Sequence, residues 1–177
     1  MQTEKPHRPH GPLRPLWPAP DAHAVDILDQ TALPHARRTI RLTTLEDAAH
    51  AIRSMQVRGA PLIGVTAAYG VALAMKESAD DAALSSAVDL LGATRPTAVN
   101  LHWALARVRA CLQPLPPTER AAAAWLEAGR IAEEDVSQCR RIGHRGARHR
   151  RQNHRGHDGY IAQAARHMAH HGQRQLD

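Results

Sequence analysis

The stretch SMQVRGAPLIGVTAAYGVALAM, residues 54–75, sets an arginine, a glycine and a proline before a long run of small and apolar residues. The first amides of a helix lack intrahelical partners, point outward and carry partial positive charge from the helix dipole. Gly59 permits backbone geometry closed to other residues and lets a ligand approach the main chain. Arg58 adds a planar fork of donors matched to phosphate oxygens. Arg58, Gly59 and Ala60, with Pro61 in the first turn, therefore have the composition of an anion site. A plainer arrangement fits the same residues: Arg58 makes a surface ion pair and Pro61 merely opens a helix.

A second stretch, GATRPTAVNLHWAL at 92–105, repeats the design. Arg95 stands before Pro96 and is flanked by Thr94 and Thr97. Two such helix starts in a small domain could converge on one anion. Asn100 and His102 follow on different faces of the same helix, so they cannot jointly hold one atom. His102 reads as a satisfied surface or interface histidine. Tyr69 and the small residues Gly64, Ala67, Ala68, Gly70, Ala72 and Ala74 read as close core packing.

Hydrophobic periodicity supplies the elements that must carry these groups. Val25–Leu28 and Arg38–Leu42 are strand-like runs around a proline-containing turn, which predicts a small antiparallel hairpin. Thr43 and Glu46 have capping-box spacing ahead of Leu45, Ala48, Ala49, Ile52 and Met55, which recur at helical intervals. A second helix starts at Pro61 and runs to about Glu77, and a third runs from near Asp80 to Gly92. A fourth opens at Pro96 and ends before QPLPP. A fifth spans about Thr118 to Ile142, with Ala122, Trp125, Ala132, Val136 and Cys139 tracing one face.

The fold class expected is α+β, mostly α: a helical domain with a small antiparallel sheet. Its organisation reads as a flexible Pro/His-rich lead-in at 1–23 anchored by Leu16 and Trp17, a domain at 24–116, a long linker helix at 117–147, and a basic tail at 148–177. The formal charge of +6 is unevenly spread. Residues 1–143 carry 16 Lys and Arg against 15 Asp and Glu, whereas residues 144–177 carry 7 Arg against 2 Asp and 7 of the 13 histidines. Few apolar groups in the tail mean little burial to offset ordering entropy, so disorder is expected there, with Ile161, Ala164, Ala165 and Met168 hinting at a short helix. The tail reads as a solvated basic extension; a nucleic-acid arm has only Tyr160 for stacking. His154 with His157, or His167, His170 and His171, are irregular metal candidates. Cys111 and Cys139 have neither disulfide-framework nor metal-ligand spacing, and both read as structural in a reducing cytoplasm. No run approaches the ~18 apolar residues of a membrane span, and the N-terminus lacks the apolar core of a secretory signal.

LDQTALPH, AIRSMQVRGAPLIGVTAAYGVALA, TRPTAVNLHWAL and IAEEDVSQCRRIGHRGA resemble, in that order, the N-terminal half of the methylthioribose-1-phosphate isomerase family. That family acts in methionine salvage and is related to the regulatory subunits of eukaryotic translation initiation factor 2B. The resemblance covers about residues 24–147. It implies cofactor-free and metal-free isomerisation of a sugar phosphate, from 5-methylthioribose 1-phosphate to 5-methylthioribulose 1-phosphate. It also implies substrate contacts from Arg58, Gly59, Ala60 and Arg95, and it allows a homodimer; membrane and nucleic acid are not the partners it implies.

The same resemblance assigns catalysis to a cysteine and an aspartate on a Rossmann-like C-terminal domain, and nothing at 148–177, Asp158 and Asp177 included, matches them. No residue here is therefore assigned as catalytic. The switch near Ala147 to Arg/His/Gln-rich text suggests a truncated or frameshifted copy, inactive by itself, with an exposed face where the second domain would dock. The alternative expectation is a non-catalytic regulatory or binding module of the initiation factor 2B-like kind.

Overall fold

The computed structural model describes residues 14–20 and 23–172, with side chains to Gly146. Three strands and five helices follow in order: β1 (Leu16–Pro18), β2 (Val25–Leu28), β3 (Thr39–Leu42), α1 (Leu45–Arg53), α2 (Ala60–Glu77), α3 (Asp81–Gly92), α4 (Val99–Leu112) and α5 (Pro117–Gly172). Two compact units divide the chain, residues 1–133 and 134–177. No helix among the described residues is long and apolar enough to cross a membrane.

The sheet is antiparallel in the order β1-β2-β3. Ile27 faces Leu16 on one side and Ile40 on the other, and Val25 faces Leu42, so the alternate positions bury an apolar row. Asp26 lies opposite Arg41, and its carboxylate accepts from Arg41 Nε at 2.9 Å and Nη2 at 3.0 Å. The hairpin is as expected, with two additions. The lead-in supplies β1, with Leu16 buried, and β3 starts at Thr39 because Arg38 turns back to Asp29. Residues 1–13 lie outside the described residues.

Helix α2 is buried at fourteen of its eighteen positions, so it has no solvent face and must be central. α1, α3 and α4 pack around it. Small residues make this possible: a Cβ on Gly70 would stand 2.9 Å from Ala48 Cβ and 3.1 Å from a Leu91 methyl. Tyr69 is buried and meets Trp125 of α5 edge to face, with ring centroids 5.2 Å apart. Burial raises its phenol pKa. Tyr69 is a core residue, as the small-residue pattern suggests.

Helix starts differ in detail from the sequence reading. The capping box of α1 is Thr44 with Asp47, one residue later than Thr43 with Glu46. Asp47 Oδ2 accepts from Thr44 N at 3.0 Å and Thr43 N at 2.8 Å, a double service that exposed Glu46 does not perform. α3 is capped by Asp80, which accepts from Ala83 N at 2.7 Å. α4 begins at Val99 and not at Pro96, because Arg95–Ala98 closes first as a turn, Ala98 N donating to Arg95 O at 3.0 Å. α5 buries Ala124, Glu127, Ala128 and Ile131, whereas Ala122 and Cys139 are exposed. An alanine-rich helix carries too little contrast between its faces for the buried one to be read reliably. α5 also continues past Ile142 to Gly172.

The connections are held by one buried arginine. Arg120 is 4% exposed and donates to Leu115 O at 3.0 Å, Ala79 O at 3.0 Å and Gln113 O at 3.4 Å. Its guanidinium also meets Asp81 Oδ1 at 2.7 Å. The α4–α5 and α2–α3 connections thus share one cation that satisfies carbonyls no helix can use. Arg120→Met leaves these carbonyls without a charged donor and is expected to lower unfolding free energy by about 2–4 kcal/mol in urea titrations.

Candidate functional site

Each arginine mouth can be built from its helix start. Gly59 is the N-cap of α2, at φ 93° and ψ 131°, with Pro61 behind it and no side chain capping the helix. Nothing lies within 4 Å of where a Gly59 Cβ would stand, so the glycine is required by backbone geometry and the space before it is open. Arg58, Gly59 and Ala60 are all exposed. Val57, fully buried, anchors the segment from behind, with its N–H on Ala51 O at 3.3 Å.

At α4 the N-cap is Ala98, again without a side-chain cap. Thr94 Oγ1 donates to Leu91 O at 2.5 Å, and His102 Nε2 donates to Pro96 O at 2.9 Å, so the Arg95–Ala98 turn is braced on both sides. His102 is thus a satisfied surface histidine. Arg95 itself is half-buried.

Contrast with the other helices gives these starts their meaning. α1 and α3 are capped by a threonine or aspartate and carry acids in the first turn. α2 and α4 have neither, and an arginine stands before each. The carboxylate that normally satisfies a helix start is missing where a ligand anion would take its place. Among the described residues, neither the Arg58 nor the Arg95 guanidinium makes a hydrogen bond or ion pair.

The two helices meet near their starts. A Cβ on Gly64 would stand 2.8 Å from Asn100 O and 3.4 Å from Ala104 Cβ. Four residues separate Gly64 from the first residue of α2, about 6 Å of helical rise, and Asn100 is already in the first turn of α4. Both mouths therefore sit within about one turn of the same helix contact. Gly64 could have been noticed only as one small residue among many, because its partner is 36 positions away.

Other candidates fall elsewhere. Cys111 is half-buried, and exposed Cys139 has its Sγ 3.8 Å from Asp135 Oδ1 one turn earlier. The side chains of His154, His157, Asp158, Tyr160, His167, His170 and His171 lie outside the described residues, as does Asp177. Among the described residues no group of three His, Cys, Asp or Glu could hold a metal ion. Sequence reasoning missed Asp29, whose side chain is fully buried and accepts from Thr31 N at 2.9 Å, Thr31 Oγ1 at 2.6 Å and Arg38 Nε at 2.9 Å. The Thr31 hydroxyl, with Arg38, holds this carboxyl below the usual aspartate range. Its one visible signal was the threonine two residues on, an Asx-turn spacing.

Residues 56–159 match the Initiation factor 2 subunit family. Over 135 residues the chain is 63% identical to the methylthioribose-1-phosphate isomerase of Dechloromonas aromatica, covering 76% of this chain and 37% of that relative. The crystal structure of 5-methylthioribose 1-phosphate isomerase from Pyrococcus horikoshii is similar with a TM-score of 0.64 at 35% identity, over 70% of this chain and 36% of that one. Translation initiation factor eIF-2B subunit delta from A. fulgidus is similar with a TM-score of 0.63 at 36% identity, over 71% of this chain and 38% of that one. The chain thus spans a little more than a third of the length of the isomerase relatives it matches.

Two glycines of the site fail for different reasons when substituted. Gly59→Ala meets no atom but forces an L-residue to positive φ, and is expected to lower stability by about 1–3 kcal/mol. Gly64→Ala pushes against the Asn100 carbonyl; overpacking of about 1–3 kcal/mol outweighs the ~1 kcal/mol helix-propensity gain. Urea denaturation of both variants checks the sign.

Proposed function

Because the chain belongs to the Initiation factor 2 subunit family, we propose that its paired helix starts bind a sugar phosphate of the methylthioribose 1-phosphate class. The observation that carries this reading is the Gly64–Asn100 contact, which joins two uncapped, acid-free, arginine-fronted helix N-termini at one end of a helix pair. Arg58 and Arg95 supply the charged donors to the phosphate. Gly59 and Ala60 offer main chain at close range. The open first-turn amides of α2 and α4 add oriented partial charge.

Such a site anchors and orients the ester. Isomerisation further requires groups that open the ring and move a proton between neighbouring carbons, and the described residues at the mouths include no carboxylate or cysteine to do so. We assign the chain the substrate-anchoring share of an isomerase, with binding and no appreciable turnover by itself. The likeness to the eIF-2B delta subunit supports a second reading, a non-catalytic binding module built on the same helices.

Calorimetric titration with 5-methylthioribose 1-phosphate, beside a coupled isomerase assay, separates the readings. The anchoring site predicts saturable binding that falls about tenfold or more in Arg58→Ala and again in Arg95→Ala, as expected for hydrogen bonds to charged groups worth about 1.5–3 kcal/mol each. Absence of binding favours the regulatory module. Rapid turnover by the purified chain refutes the anchoring-only assignment.

A further inference from the structure

We propose that Asp29 is a positioning residue for the Arg58 mouth: its carboxylate closes loop 29–38, and that loop holds the Gln56–Gly59 backbone in place. The proposal rests on the anion-site reading of that mouth. Asp29 ends up fully buried just after β2 and joins both ends of the loop. Its Oδ1 accepts from Thr31 N and Thr31 Oγ1, and its Oδ2 accepts from Arg38 Nε and Nη2. Its own N–H donates to Arg38 O at 2.8 Å. Ten residues are thereby closed through one residue, by its side chain and its main chain together.

The closed loop reaches across to the mouth. Gln30 N donates to Gln56 O at 2.9 Å, and Gln56 lies two residues before Arg58. The segment receiving that bond is one that would not hold its shape unaided. Met55, just before Gln56, sits at φ 60°, a left-handed conformation that side chains other than glycine and asparagine rarely adopt. Met55 N reaches Ile52 O only at 3.4 Å. Gly59, four residues beyond Met55, is again at positive φ. Between these two unusual residues the backbone is fixed by Gln30 on Gln56 O, by Val57 N on Ala51 O at 3.3 Å and by Ile63 N on Gly59 O at 3.1 Å. The first of these is the one supplied from outside the α1–α2 connection. Strained backbone persists when its surroundings over-determine it, and loop 29–38 is part of that surrounding.

Two variants open the clasp from opposite sides. Asp29→Asn keeps the acceptor facing Thr31 and replaces Oδ2 by an NH2 that meets the Arg38 donors. Arg38→Met removes the guanidinium from a largely exposed side chain, 62% accessible, and so spares the core. Hydrogen exchange followed by mass spectrometry is expected to rise at 29–38 and also at 54–59 in both variants, with α2 residues 62–75 unchanged. Affinity for 5-methylthioribose 1-phosphate is expected to fall about tenfold. In an Arg58→Ala background, Arg38→Met is expected to change affinity less than twofold, a non-additivity that a merely structural role does not produce.

Exchange that rises at 29–38 while 54–59 keeps wild-type protection overturns the proposal, as does unchanged affinity or full additivity with Arg58→Ala. Should Asp29→Asn not fold, Arg38→Met decides alone. A wild-type chain that takes up no ester fails the anion-site reading instead, and the exchange pattern still decides whether the loop holds the mouth.

Discussion

The approach of α4 onto α2 at Gly64 is the contact on which the rest depends. A backbone carbonyl of one helix occupies the place where the other would carry a side chain. Burying α2 on all sides needs its neighbours close, and Gly64 and Gly70 are where they come closest. The same closeness decides where the helix ends fall. Had α4 met α2 near its C-terminal turns, the two arginines would front separate surfaces and neither would have a companion. Core packing and the proposed site therefore rest on the same geometry.

Charge placement follows from that geometry. Six arginines of the first unit meet a carboxylate among the described residues: Arg14 with Glu133, Arg38 with Asp29, Arg41 with Asp26, Arg120 with Asp81, and Arg107 and Arg130 with Glu127. The exposed Arg14–Glu133 pair adds little stability, whereas Asp26, Asp29 and Glu127 are buried carboxylates whose charge needs the arginine beside it. Arg58 and Arg95 stand outside the scheme. So do Arg37, Arg53 and Arg109, for which the structure shows no ion pair either among the described residues, so a missing partner alone marks nothing. The distinction is positional. Only at 58 and 95 does the unmatched cation coincide with the start of an uncapped helix that has no acid in its first turn.

What could be read from the chain, and what could not, divides by range. Local signals placed the strands Val25–Leu28 and Thr39–Leu42, the Asp80 cap and the start of α2 to within a residue or so, because each depends on neighbours within four positions. The start of α4 was missed because a proline three residues ahead of a helix looks like one inside it, and the preceding turn has no separate signature. On α5, Trp125 and Ala132 pack against the core as expected, but AAAAW has too little contrast to tell buried Ala124 from exposed Ala122. Arg120 and Asp29 were invisible as core residues: each is charged, and their burial is tolerable only through partners such as Ala79, 41 positions from Arg120, and Arg38, across a loop from Asp29. The Gly64–Asn100 contact belongs to the same class, since no period within α2 singles out that glycine.

A site made of two guanidiniums and two helix ends also limits what this part of the molecule can contribute chemically. The phosphate ester of an aldose 1-phosphate stays attached, and its charge changes little, while the ring opens and the proton moves. Donors aimed at that phosphate therefore hold ground state and transition state about equally. Such uniform binding lowers the concentration at which the site fills without raising the rate of the chemical step. Rate must come from groups facing the carbons that exchange hydrogen, where charge develops. The same helices can thus serve an isomerase, which adds those groups from elsewhere, and a binding module, which does not. On the proposed reading, one helical architecture can be similar to parts of proteins as different as a sugar-phosphate isomerase and a translation-factor subunit.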